Sequence, residues 1–241
     1  MLRFFGKTDV GLVRQNNEDS FLIDQERGFC LVADGMGGIA GGEQASRFFA
    51  QAADDIYPSG RPTSETDQID AVQRIFWQAN QNILNFVQEN PHLKGMGCTA
   101  ELMVFSQNRY VIGHMGDSRT YQYRNSRLKQ LTKDHSLVQE QLDQGIISAP
   151  QAAVHSMRNI ILRAVGVDED LKLDIIRGNI RRGDQYLLCS DGLTDLVNHE
   201  AIADVLASST DLYQKAETLI SKALAAGGSD NVTVVLSMVG E

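Results

Sequence analysis

The chain has 241 residues, 42% of them hydrophobic and 22% charged, with 22 basic side chains against 31 acidic ones and a net charge of −9. This composition is ordinary for a globular protein long enough to bury a core without staples, and its acidity argues against nucleic acid, whose phosphates favour a basic face. No apolar stretch reaches the ~18 residues of a membrane span and no charged leader opens the chain, so the expectation is a cytoplasmic protein with no membrane partner.

In chain order, strands are expected near 2–8, 19–25 and 28–34, followed by helices near 42–56 and 65–90. In the second helix Ile69, Val72, Ile75, Phe76, Ala79, Ile83, Phe86 and Val87 recur at helical spacing and mark one apolar face. The loop Pro58–Ser64 before it ends in a helix cap. Strands resume near 98–105, 109–116, 119–124 and 128–131, with a helix at 135–144. Strands near 171–177 and 184–190, helices near 199–207 and 211–226, and a strand near 231–239 complete the chain. Clustered strands with paired helices predict a layered α+β protein with mainly antiparallel sheets. No repeat or long linker interrupts the sequence, so one domain over 1–241 is expected. Cys30, Cys98 and Cys189 are odd in number and far apart, and read as reduced packing residues.

The chemistry lies where apolar runs end. Phe29–Ala33 leads into Asp34-Gly35, Tyr110–Met115 into Gly116-Asp117, and Tyr186–Ser190 into Asp191-Gly192. Asp230-Asn231 opens the last run. A carboxylate at the end of a buried strand is held rigidly, and an adjacent glycine permits close backbone approach. Several such groups on one edge repel each other unless cations neutralise them. The pattern reads as an oxygen-ligand metal site at strand ends. Local roles compete: Asp191 suits a helix N-cap, Asp230-Asn231 a turn, and Asp117 a β-turn between strands.

The ordered series Thr8-Asp9-Val10-Gly11, Arg14–Asp19, Val32–Gly38 with Gly42-Glu43, Gly97–Ala100, Gly116–Arg119, Leu131–Ser136, Leu188–Leu193 and Ser229–Thr233 resembles the metal-dependent protein phosphatases (PPM, type 2C) in their compact bacterial form. The resemblance covers nearly the whole chain. It implies a four-layer α-β-β-α sandwich with two central, mainly antiparallel sheets flanked by helix pairs. It also implies two Mn2+ or Mg2+ ions, with a third, weaker one. On this likeness Asp34 bridges two ions, the Gly35 carbonyl ligates one, Asp191 and Asp230 complete the second, and Asp117 shares the third with Asp191. Glu18 and Asp19 would hold metal-bound waters and Arg14 would grip the substrate phosphate. Thr99, Asp195 and Asn231 would support the ligands.

The implied activity is hydrolysis of phosphoserine and phosphothreonine in proteins by a metal-bridging hydroxide, reversing a Ser/Thr kinase. The resemblance departs at the general acid: Met36 and Ile39 stand where relatives carry histidine. Residues 145–166 correspond to a flap beside the cleft, where Arg158 and Arg163 could meet acidic phosphopeptides or simply pack on the sandwich. His114 and His135 read as a core residue and a helix-start residue. A non-catalytic binding module and a hydrolase of small phosphoesters are the alternatives; no Walker loop supports the latter.

Overall fold

A computed structural model describes residues 2–37, 41–60, 64–106 and 108–240. One sheet runs in the order β1 (Leu2–Asp9), β11 (Val232–Val239), β10 (Gln185–Cys189), β7 (Arg119–Arg124) and β8 (Arg127–Gln130). The other runs β2 (Asp19–Asp24), β3 (Phe29–Met36), β5 (Ala100–Phe105), β6 (Arg109–Met115) and β9 (Asp174–Asn179), with the two-residue β4 (Gly97–Cys98) also on β3. Every strand pair is antiparallel. The α+β architecture expected from the sequence is present.

Strand alternation sorts the side chains into layers, because successive residues point to opposite faces. In β3, Phe29, Leu31 and Ala33 pack under α1 (Gly41–Ile56) and α2 (Glu65–Glu89), while Cys30 and Val32 turn inward between the sheets. In β10, Leu187 and Cys189 pack with the helices α5 (Asp191–Thr194), α6 (His199–Ala207) and α7 (Leu212–Ala225), and Tyr186 and Leu188 face the other sheet. The inner layer draws on Leu2 from one end of the chain and Val235 from the other. Phe105 is fully buried there and meets Phe4 and Tyr186 edge-on, with ring centroids 5.7 and 5.6 Å apart. The helices form because their apolar spacing matches these faces: Val72, Ile75, Phe76, Ala79 and Ile83 of α2 are all buried. Ser64 caps α2 by accepting from the Asp67 amide.

Two boundaries differ from expectation. The strand predicted at 98–105 is broken at Thr99, whose hydroxyl and amide turn to Asp34 instead of a ladder partner. The strand predicted at 171–177 lies at 174–179, since β6 ends at Met115 and the Gly116 turn leaves 171–173 no neighbour to pair with. The segment joining β8 to β9 holds α3 (Leu137–Asp143) and a short α4 (Ala149–Ala153), the latter not anticipated. All three cysteines are buried and free. Among the described residues no helix is long and apolar enough to cross a membrane.

Replacing Phe105 by alanine should cost about 3–5 kcal/mol in urea unfolding, as expected for an aromatic side chain lost from a packed core. A loss below about 1 kcal/mol would mean that the two sheets are not held together there.

Candidate active site

The alternation that builds the inner layer also delivers the acidic groups. Asp19 and Asp34 are directly opposed in the β2–β3 pair. Asp34 continues the inward parity of Cys30 and Val32, and Asp19 that of Phe21 and Ile23. Both carboxylates therefore enter the space between the sheets at one end. Ser190 and Thr233 arrive from the other sheet with the same inward parity, and their hydroxyls donate to Asp19 Oδ2 at 2.8 and 2.6 Å. Asp191 follows Ser190 at the start of α5, and Asp117 sits in the turn between β6 and β7.

These groups are poorly compensated. Asp19 Oδ1, Asp117 Oδ1 and Asp191 Oδ1 are buried without a hydrogen-bond partner. Asp34 and Asp191 keep a partly exposed edge, yet each is densely surrounded by protein. Burial raises the Asp19 carboxyl to about 7, with Asp191 and Asp230 adding repulsion against the two hydroxyls. Burial and then Asp191 and Asp134 raise Asp117 to about 8. Burial, Asp195 and Asp230 raise Asp191 to about 6. Asp34 is held well above the usual carboxylate range by burial and by all four neighbours, Asp19, Asp191, Asp117 and Asp230. Glu18 is also raised by burial, with Arg14 opposing.

Among the described residues no three carboxylate, imidazole or thiol groups close into a ready-made cage for an ion. The donor chemistry nonetheless fits manganese or magnesium: hard oxygens, several of them unpartnered, beside a backbone that approaches closely. A Cβ on Gly35 would overlap the Gly42 carbonyl oxygen and lie 2.6 Å from that of Glu18. Only glycine permits this approach beside Asp34.

The remaining predicted residues hold the frame. Thr99 Oγ1 accepts from the Asp34 amide at 3.1 Å and shares a 2.7 Å hydrogen bond with Ser118, linking the Asp34 and Asp117 backbones. Asn231 Oδ1 accepts from the Glu18 amide at 2.8 Å, and its Nδ2 donates to the Val10 and Asn16 carbonyls. It thereby pins the loop that carries Arg14. Arg14 pairs with Asp230 at 2.8 Å, so the anticipated phosphate ligand and an anticipated metal ligand contact each other directly. Asp195 faces Arg158 at 3.4 Å. Arg163 pairs with Asp174 at 3.2 Å. Met36 lines the cleft, whereas Gly38 and Ile39 lie outside the described residues.

A cavity of about 630 Å³ opens onto Arg14, Glu18, Asp34, Gly35, Asp191 and Asp230, with Asn159 and Ile161 of the 145–166 segment on its rim. A second cavity of about 450 Å³ shares Asp191 and Asn159 with it and reaches Asp117 and Arg158. Sequence reasoning missed Ser190 and Thr233 as partners of Asp19. Their inward parity, two residues beyond Leu188 and two before Val235, was the available signal.

The sequence profile described as protein phosphatase 2C matches residues 12–226. The chain is 36% identical over 234 residues to the serine/threonine phosphatase stp of Listeria innocua, covering 95% of this chain and 93% of that protein. The structure of the Mycobacterium tuberculosis serine/threonine phosphatase PstP/Ppp superposes with a TM-score of 0.93 at 37% identity, over 100% of this chain and 99% of that one. The catalytic domain of PstP in complex with two manganese ions gives 0.91 at 36% identity, over 100% and 99%. These likenesses make the fold a four-layer phosphatase sandwich. The chain belongs to the protein phosphatase 2C family and is a phosphoprotein phosphatase.

The raised carboxyls predict a pH dependence. With Asp191, Asp19 and Asp117 at about 6, 7 and 8, the native state binds more protons than the unfolded chain between pH ~4 and ~8. Stability in chelator should therefore fall as pH rises through that window, seen as a steadily falling Tm, and manganese should restore it. A Tm that stays level or rises between pH ~5 and ~8 in chelator would contradict the uncompensated cluster.

Proposed function

We propose that the protein hydrolyses phosphoserine and phosphothreonine in other proteins, using manganese or magnesium, and so reverses a Ser/Thr kinase. The observation that carries this reading is the convergence of buried, unpartnered carboxylate oxygens beside a cleft rimmed by Arg14. The manganese complex of PstP supports the choice of metal. When bound, two divalent cations supply a water of lowered pKa and neutralise charge on the phosphoryl oxygens.

Asp34, the Gly35 carbonyl, Asp191 and Asp230 would hold the two ions, and Asp117 with Asp191 a third, weaker one. Arg14 orients the phosphoryl group. Its guanidinium carries five donors, so pairing with Asp230 leaves others to fork onto phosphate oxygens. Glu18 and Asp19 would position water by accepting hydrogen bonds from it. Asp19 keeps one oxygen for this, since Ser190 and Thr233 occupy the other. Thr99 and Asn231 keep the ligand backbones in register, and Asp195 raises Asp191 across the start of α5. Among the described residues lining the Arg14 cavity there is no hydroxyl, thiol or imidazole side chain, and this reading gives its carboxylates to the metals and water, so direct hydrolysis is preferred to a phosphoenzyme.

Residues 1–241 act in this reading as one catalytic unit, because the inner core joins both ends of the chain. Residues 145–166 form its flap. A cytoplasmic setting suits three buried, unbridged cysteines.

Asp34→Ala and Asp191→Ala should each reduce manganese-dependent phosphate release from a phosphothreonine peptide to background. Near-normal turnover by either would remove the metal-site reading. Arg14→Ala should raise KM about ten-fold with a smaller change in kcat, because it removes ground-state phosphate binding. Free nucleotides should be turned over far more slowly than the peptide; the reverse preference would favour a small-phosphoester hydrolase.

A further inference from the structure

His135 belongs to neither cavity wall that carries the chemistry, yet it touches the Asp117 turn, the flap and the inner core at once. Its amide donates to the Gly116 carbonyl at 2.7 Å, and its ring Nδ1 accepts from the Gly116 amide at 3.2 Å. Gly116 is thus held from both sides. It adopts φ +115°, and a Cβ there would lie 2.6 Å from Thr99 Cβ. The His135 carbonyl accepts from the Leu162 amide at 2.7 Å, and Ser136 bridges to Ile161. Ring Nε2 lies 3.3 Å from Asp174 Oδ2 and 3.2 Å from Arg163 Nη1.

The ring's face is equally constrained. It lies 4.4 Å from the His114 ring. His114 is fully buried between the sheets, and both of its nitrogens meet acceptors: Glu101 at Nδ1 and the Lys133 carbonyl at Nε2, the latter at 2.8 Å. The Lys133 carbonyl fixes one proton on Nε2, and a second is held between Nδ1 and Glu101. Burial raises the Glu101 carboxyl, while Glu101 outweighs burial and raises His114 to about 9, so the proton sits on the ring side of the pair. Glu101 in turn accepts from Thr120 at 2.5 Å. A glutamate and a histidine wholly inside an apolar layer are costly unless they are paired like this.

We propose that His135 is a positioning residue: its ring clamps the Gly116–Asp117 turn and ties it to the end of the flap, so that the aim of the Asp117 carboxylate follows the placement of residues 160–163. Asp117 Oδ1 has no hydrogen-bond partner, and the carboxylate interacts with its own backbone amide, so the backbone of the turn does the aiming. The clamp needs an unprotonated Nδ1, which puts the ring proton on Nε2 facing Asp174; Arg163 Nη1 then donates to Asp174 and only abuts Nε2, because a neutral ring accepts at one nitrogen. The surroundings enforce that state. Burial, the charge on His114 and the Arg163 guanidinium lower His135 to about 4, which leaves the ring neutral at ordinary pH.

The inference rests on the phosphatase reading only in its kinetic arm. His135→Asn keeps an acceptor oxygen near the Nδ1 position, whereas His135→Leu fills space and offers none. In the metal-free protein, followed by NMR, His135→Leu should speed Gly116 amide exchange about ten-fold, since a buried N–H loses its acceptor. His135→Asn should stay within about three-fold of the unaltered chain. In turnover, His135→Leu should lower kcat about ten-fold with KM for a phosphothreonine peptide within about two-fold, and His135→Asn should recover most of it.

Wild-type-like Gly116 protection in His135→Leu would overturn the clamp. Equal impairment of the two variants would do so too, because it would reduce the role to packing. Should both variants fail to fold, the ring nitrogen shifts of the unaltered protein decide: an unprotonated Nδ1 hydrogen-bonded to Gly116 is expected, and a proton on Nδ1 refutes the proposal. If the exchange results hold while no form releases phosphate, the phosphatase reading fails and the clamp stands.

Discussion

Like charges buried together are the constraint on which the rest of this structure depends. Asp19, Asp34, Asp117 and Asp191 meet where two sheets face each other, and they repel in a space that excludes much of the water which would screen them. A protein that needed only stability would fill that space with apolar side chains, as the same layer does deeper in with Tyr186, Phe105 and Leu188. On the proposed reading, the unfavourable end of the core is the place where cations replace protons. Folding stores an electrostatic cost here, which cation binding at the proposed site would relieve.

The frame around the cluster is built to keep that cost from being relaxed. Asp34 is fixed through its own backbone by Thr99, which also reaches Ser118 beside Asp117. Asn231 fastens the loop before β2 through three hydrogen bonds. The glycine at 35 allows the β3 backbone to lie against the start of α1. None of these residues needs to touch substrate to matter. Each fixes the backbone from which an acidic side chain projects.

Much of this was legible in the sequence, for identifiable reasons. Apolar runs that stop at aspartate beside glycine marked the strand ends, and helical spacing over Ile69–Val87 marked the face of α2. The ordered motifs then implied, through the resemblance they carry, the four-layer arrangement of two antiparallel sheets that spacing alone could not. What stayed hidden depended on contacts between distant segments. The break at Thr99 comes from a side-chain bond to a strand that ended more than sixty residues earlier, and the late start of β9 from where its partner turns away. The Arg14–Asp230 pair joins opposite ends of the chain. Glu101 carried a visible signal, a lone charge in the apolar strand 100–105, but its meaning required His114 and Thr120 to be found opposite it.

The most direct test of the account is to titrate manganese into the protein calorimetrically near pH 6.5, in two buffers of different ionisation enthalpy. Carboxyls raised to between about 6 and about 8 should give up protons as the metal enters, so binding should be accompanied by proton release that disappears well above pH 8. Binding without proton release, or no binding at all, would contradict the claim that these buried aspartates form one cation-demanding cluster.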